Sequence, residues 1–181
     1  SIDLSENDLD AKGAKALQQL LAQRSCLLTE VHLRRSDVDD DECRALCESL
    51  ELNTASQLQV LDLSDNLIGQ KEEVNEFNPE FQTGGEAIGA MLAATSTLTV
   101  LDLSWNSIRG TSAKALASAV RTNATLTLLN LSHNRLDEDG GVAVSDALEA
   151  NTSLTEVRMA HCFIGAKGSI VLSPALTERA T

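Results

Sequence analysis

The sequence predicts an α/β solenoid of about six repeats, with a parallel β-sheet on the concave face and helices on the convex face. Three observations predict it. The segment VLDLSDN at 60–66 returns as VLDLSWN at 100–106, as LLNLSHN at 128–134 and, decayed, as EVRMAHC at 156–162. The apolar pairs Ile2/Leu4, Val31/Leu33, Leu61/Leu63, Leu101/Leu103, Leu129/Leu131 and Val157/Met159 follow one another at spacings of 29, 30, 40, 28 and 28 residues. Thirteen residues after most pairs stands Leu17, Leu46, Leu116, Val144 or Leu172, and four later Leu21, Leu50, Val120, Leu148 or Leu176. A fixed period of this length marks a stacked array, in which each unit buries its apolar face only against its neighbours.

Each unit then follows from local rules. Residues two apart on a strand point to one side, so each pair faces the core and the residue between them faces out. Residues four apart share a helical face, so both helix positions turn toward the sheet. The first unit starts at residue 1 with no polar cap ahead of it. In the second, Ser36 stands where Asn7, Asn66, Asn106 and Asn134 stand elsewhere, and Cys162 stands there in the sixth. This position points inward and satisfies backbone groups where the chain leaves the strand. The shorter Ser36 predicts a looser second turn. The third unit carries an insertion of about 12 residues near 70–83, QKEEVNEFNPEFQT, which accounts for its longer period. In the fourth, the alanines of 113–119 allow a helix to approach the sheet closely. Asn53-Thr54, Asn123-Ala124-Thr125 and Asn151-Thr152-Ser153 read as helix stops. In the sixth, Pro174 interrupts or restarts the helix. The uncapped start and this proline predict a single domain over 1–181 that is a piece of a longer protein, or one whose ends a partner covers.

Composition narrows the function. A net charge of -13 and a pI near 4.5 argue against nucleic acid, which needs a basic stripe, and favour a protein partner of basic character. No stretch approaches the roughly 20 apolar residues of a membrane span, and no charged-then-apolar leader precedes the first repeat. Cys26, Cys43, Cys47 and Cys162 read as buried reduced thiols, which suggests the cytoplasm. The sequons at Asn123, Asn130 and Asn151 point weakly the other way. A glycan on Asn130 would block the concave face, so they read as chance.

The pattern L-x-x-L-x-L-x-x-N followed by G-A-x-A-L resembles the ribonuclease-inhibitor-like class of leucine-rich repeats. Ala11–Leu21, Leu98–Val120 and Leu126–Leu148 follow it closely. The stretch LTVLDLSWNSIRGTSAKALASAVRTNATLTLLNLSHN is similar to NOD-like receptor repeat regions and to uncharacterised intracellular repeat proteins. Some of the latter occur in cilia and flagella, which adds a cilium or flagellum to the expected locations. The resemblance implies a non-enzymatic protein-binding scaffold in a larger assembly. Two alternatives within it are a GTPase activator like the Ran regulator and the ligand-sensing region of a NOD-like immune receptor. Fold is fixed by such a motif; function lies in its variable surface.

That surface holds the candidate contacts. Between the core pairs stand Asp3, His32, Asp62, Asp102, Asn130 and Arg158, then Ser5, Arg34, Ser64, Ser104, Ser132 and Ala160, then Glu6, Arg35, Asp65, Trp105, His133 and His161. Trp105, His133 and His161 fall side by side on consecutive strands, and Trp is enriched at binding hot spots. Trp105 is either such an anchor or an ordinary variable residue. Asp62, Asp102 and Arg158 complete the candidate face. Paired Asp62 and Asp102 on an open surface read as a charge patch rather than a catalytic dyad. His133 and His161 lack a third ligand in register for a metal. No catalytic residue, cofactor, metal or small-molecule substrate is therefore expected. In the insertion, Phe77 and Phe81 either contact a partner or fold back onto the scaffold. Asn78-Pro79-Glu80-Phe81 resembles an adaptor-binding N-P-x-F peptide.

Overall fold

The strands are very short because each contributes only one inward residue before the chain turns. The computed structural model describes residues 1–169 except 76, 77 and 79. Strands β1 (Ile2–Asp3), β2 (Glu30–His32), β3 (Val60–Asp62), β4 (Val100–Asp102), β5 (Leu128–Asn130) and β6 (Glu156–Arg158) form one parallel sheet in chain order. Between them lie helices α1 (Ala11–Leu21), α2 (Asp40–Leu52), α3 (Gly84–Ala94), α4 (Gly110–Thr122) and α5 (Asp137–Ala150). Ile2, Val31, Leu61, Leu101, Leu129 and Val157 face one another across successive pairs, so the column read from the repeat is one physical column.

Helix anchors close the core from the other side. Leu17, Leu46, Leu116 and Val144 are buried, as are Leu21, Leu50, Val120 and Leu148. Ile88 and Leu92 of α3 take these places in the third repeat, displaced along the chain by the insertion. Full burial of one such side chain contributes about 2 kcal/mol. Leu172, Pro174 and Leu176 lie outside the described residues.

Two ladders of asparagines tie the repeats together. At the strand ends, Asn66 donates to the Leu33 and Leu63 carbonyls, and its Oδ1 accepts from Ser36 and Val38 N–H. Asn106 and Asn134 repeat this, reaching back to Leu63 and Leu103 and accepting from Ile68 and Ile108 N–H. Cys162 continues the column with its thiol on Leu131 O. Ser36 is not loose. It is fully buried, its hydroxyl donates to Leu4 O at 3.1 Å, and Asn66 takes up its own N–H.

The second ladder stands where the helices end, at Asn53, Asn123 and Asn151 as the sequence predicts. Asn53, Asn123 and Asn151 have φ of -88°, -68° and -77°, outside the left-handed region in which asparagine commonly stops a helix. They act through their side chains. Asn53 donates to Leu21 O, Asn123 to Leu92 O and Asn151 to Val120 O, each the last turn of the preceding helix. Orphan carbonyls at a helix end need such donors. With Asn130 donating to Asp102 Oδ2, all three sequon asparagines are occupied by the scaffold.

Thr95 holds the corresponding place after α3, and there the ladder breaks. Its hydroxyl is buried without a hydrogen-bond partner, and a polar void of about 50 Å³ lies between Asn53 and Thr95. Thr95→Asn should place an amide on Leu50 O and raise stability by about 1 kcal/mol. A urea titration checks this; a lower midpoint than the parent's counts against a ladder gap.

Candidate interaction surface

Where each strand ends, the chain turns sharply inward so that the ladder asparagine can enter the core. The residue just before the asparagine takes a left-handed conformation to make that turn. Glu6, Arg35, Asp65, Trp105, His133 and His161 have φ between 51° and 59°. This corrects the sequence reading: Trp105, His133 and His161 do not lie on the strands but three residues past them. Their order is nonetheless a column. The rings of Trp105 and His133 stack at 3.8 Å between centroids and 9° between planes, and those of His133 and His161 at 4.6 Å and 25°. Trp105 remains 58 % exposed and is not core packing.

This arrangement runs against backbone preference. A bulky residue in the left-handed region is disfavoured by about 1–2 kcal/mol, and a ring pair returns about 0.5–1.5 kcal/mol. Every residue of the column carries this backbone cost, Glu6, Arg35 and Asp65 included, so the stack itself adds only its two ring contacts. In the first three repeats the same column is ionic, with Arg35 pairing Asp65 at 3.0 Å and reaching Glu6.

The concave face is less open than the alternation suggested. Ser64, Ser104 and Ser132 are buried rather than outward-facing. Asp62 and Asp102 lie opposite each other in register, but each carboxylate accepts from the N–H two residues on, Ser64 or Ser104, and so helps set the turn. Asp102 is further occupied by Ser104 Oγ and Asn130. Asp62 keeps an oxygen 3.8 Å from His32. Arg158 is exposed and paired with Glu156 of its own strand. These three are thus scaffold-engaged to different degrees, whereas the ring column is free on its outer side.

The insertion is pinned at both roots by Asp40, which is fully buried. Its Oδ1 accepts from Gly69 and Gly84 N–H, one residue before and one after the inserted segment, and its Oδ2 from Lys71 N–H. Gly69 has φ +88° and packs against the Ser107 backbone, a place closed to any side chain. Lys71 Nζ bridges Asp39 and Asp41. Burial alone would raise the Asp39 pKa, but hydrogen bonds from Glu42, Lys71 and backbone N–H groups hold it down at about 2. Further along, Glu72 accepts from Thr111 N–H and Oγ, and Glu73 pairs with Arg109 at 2.8 Å. Phe81 is half-buried and lines a hollow with Glu72, Asn75 and Thr111. Phe77 lies outside the described residues.

All four cysteines are free and buried. The neighbouring Cys47 thiol and burial together push the Cys43 thiol well up, which leaves it inert as a nucleophile. Among the described residues no group of three or more His, Cys, Asp or Glu could hold a metal, and no helix is long and apolar enough to cross a membrane.

Parallel strands in chain order, helices on one side and an asparagine ladder at the strand ends define a leucine-rich repeat solenoid. The family model described as Leucine Rich repeat matches residues 1–17, 95–117, 122–145 and 150–173. Two solved structures have the same fold. One is the leiomodin-1 actin-binding site 2, at 22% identity and a TM-score of 0.66, with 91% of this chain and 90% of that chain covered. The other is the tropomodulin C-terminal domain of Caenorhabditis elegans, at 17% identity and a TM-score of 0.69, with 92% and 95% covered. At these identities the likeness concerns fold. No curated protein sequence matches the chain.

Proposed function

We propose that the chain is a non-enzymatic protein-interaction module whose contact edge is the Trp105–His133–His161 column. One observation carries this reading: three rings stack across three repeats on an open edge, with Trp105 58 % exposed rather than packed into the core. Partner contact accounts for such residues where packing does not. The acidic surface favours the approach of a partner with basic regions. One fold neighbour is an actin-binding site of leiomodin-1, which makes actin the first candidate to try here. Pelleting with actin filaments tests that candidate, and failure to pellet removes actin without touching the edge.

The edge itself is tested with Trp105→Ala. Replacing the exposed Arg35 of the same column with a photo-crosslinking residue should trap a specific protein from the source cell. Trp105→Ala and His161→Ala should each reduce that partner's affinity by at least about tenfold, or about 1.4 kcal/mol. Stability should fall only by the lost ring contacts, about 0.5–1.5 kcal/mol, because alanine carries the same left-handed cost. A partner retained at full affinity by both variants places the contact elsewhere.

A further inference from the structure

Two residues past the ring column the same edge opens into a groove of about 340 Å³, lined by Arg109, Arg135, Asp137 and Phe163. Phe163 is 76 % exposed and has φ 56°, so it too is a bulky ring held outward in a disfavoured conformation. The charges around it are not equivalent. Asp137 accepts from Gly140 N–H and serves the start of α5. Arg109 already holds a carboxylate, that of Glu73, with Val74 exposed beside it. Arg135 is exposed on the groove, and no ion pair to it is found among the described residues.

We propose that this groove takes an acidic peptide segment in which an Asp or Glu side chain lies next to an aromatic or branched apolar one. The carboxylate sits on the Arg135 guanidinium, whose planar fork matches two oxygens. The apolar side chain covers Phe163. The chain supplies a precedent for the carboxylate one repeat back, where Glu73 of the insertion pairs with Arg109. The net charge of -13 does not forbid such a ligand. Screening confines charge effects to about 8 Å at physiological salt; within that range Glu73 pairs with Arg109 and Asp137 shares the groove, which leaves Arg135 as the guanidinium with no ion pair among the described residues. The occupant is local to the groove; a basic region elsewhere on the same partner remains compatible with the acidic outer surface.

This proposal rests on reading the edge as a protein-contact surface, and its test separates the two. A random linear peptide library is panned on the full 181-residue chain, and the selected peptides are labelled and titrated by fluorescence anisotropy. The expected consensus places Asp or Glu beside an aromatic or branched apolar residue. Affinity should fall at least about tenfold in Arg135→Glu and in Phe163→Ala, both exposed positions whose change leaves the core intact. A basic consensus, no enriched peptide, or affinities unchanged in both variants overturns the groove. Peptides weakened by Trp105→Ala but not by Arg135→Glu overturn the groove while sustaining the ring column.

Discussion

Asn66→Ala should destabilise the protein by about 3–5 kcal/mol, far more than a surface substitution. The truncated side chain leaves the N–H groups of Ser36 and Val38 without their acceptor, and the Leu33 and Leu63 carbonyls without their donor. Each buried orphan costs about 1–3 kcal/mol, partly relieved by relaxation of the turn. Asn7 is the internal control. It occupies the same repeat position, but it is exposed and donates only to Leu4 and Ser5 within its own turn. Asn7→Ala should therefore cost less than about 1 kcal/mol. Urea unfolding followed by circular dichroism and by the fluorescence of the single Trp compares the two. Equal losses would mean that the asparagines act within their own turns and that the inter-repeat bonds contribute nothing.

This contrast also shows what could be read from sequence. The strand columns and helix anchors are legible because burial recurs at the repeat period, and Val31, Leu61, Leu101 and Leu129 stand in register as that period requires. The strand-end asparagines are legible for the same reason. Those at the helix ends are visible as residues but not as a ladder. The 28-residue interval between Asn123 and Asn151 equals the strand interval and carries that signal, which the break at Thr95 obscures. The order of Trp105, His133 and His161 follows from register, whereas their left-handed backbone does not. That conformation is imposed by the inward turn of the chain at every repeat, whatever residue stands there, so the residue types do not announce it. Phe163 carries no such signal, because it sits inside the regular repeat, whereas Phe77 and Phe81 stand out by interrupting it.

Asp40 is the residue least legible in sequence, and Asp40→Ala carries the second large expected effect. In sequence it is one acid among several at the start of a helix, where negative charge is ordinary. In the fold it is wholly buried and accepts three backbone N–H groups, from Gly69, Lys71 and Gly84, which lie 29 to 44 residues away. Hydrogen bonds to a charged acceptor contribute about 1.5–3 kcal/mol each, so Asp40→Ala should lose about 3–5 kcal/mol after relaxation. Asp40→Asn keeps one oxygen but turns an N–H toward the Lys71 N–H, and should fall between alanine and the parent. Lys71→Ala removes only an exposed ion bridge to Asp39 and Asp41 and should cost less than about 1 kcal/mol. Limited proteolysis supplies the local readout. In Asp40→Ala, cleavage within 70–83 should precede global unfolding, because both roots of the insertion are released together. If cleavage and unfolding coincide, Asp40 stabilises the core rather than the insertion. Release should also free Glu73 from Arg109, so an acidic peptide selected on the groove should bind the folded Asp40→Ala variant at least as tightly as the parent.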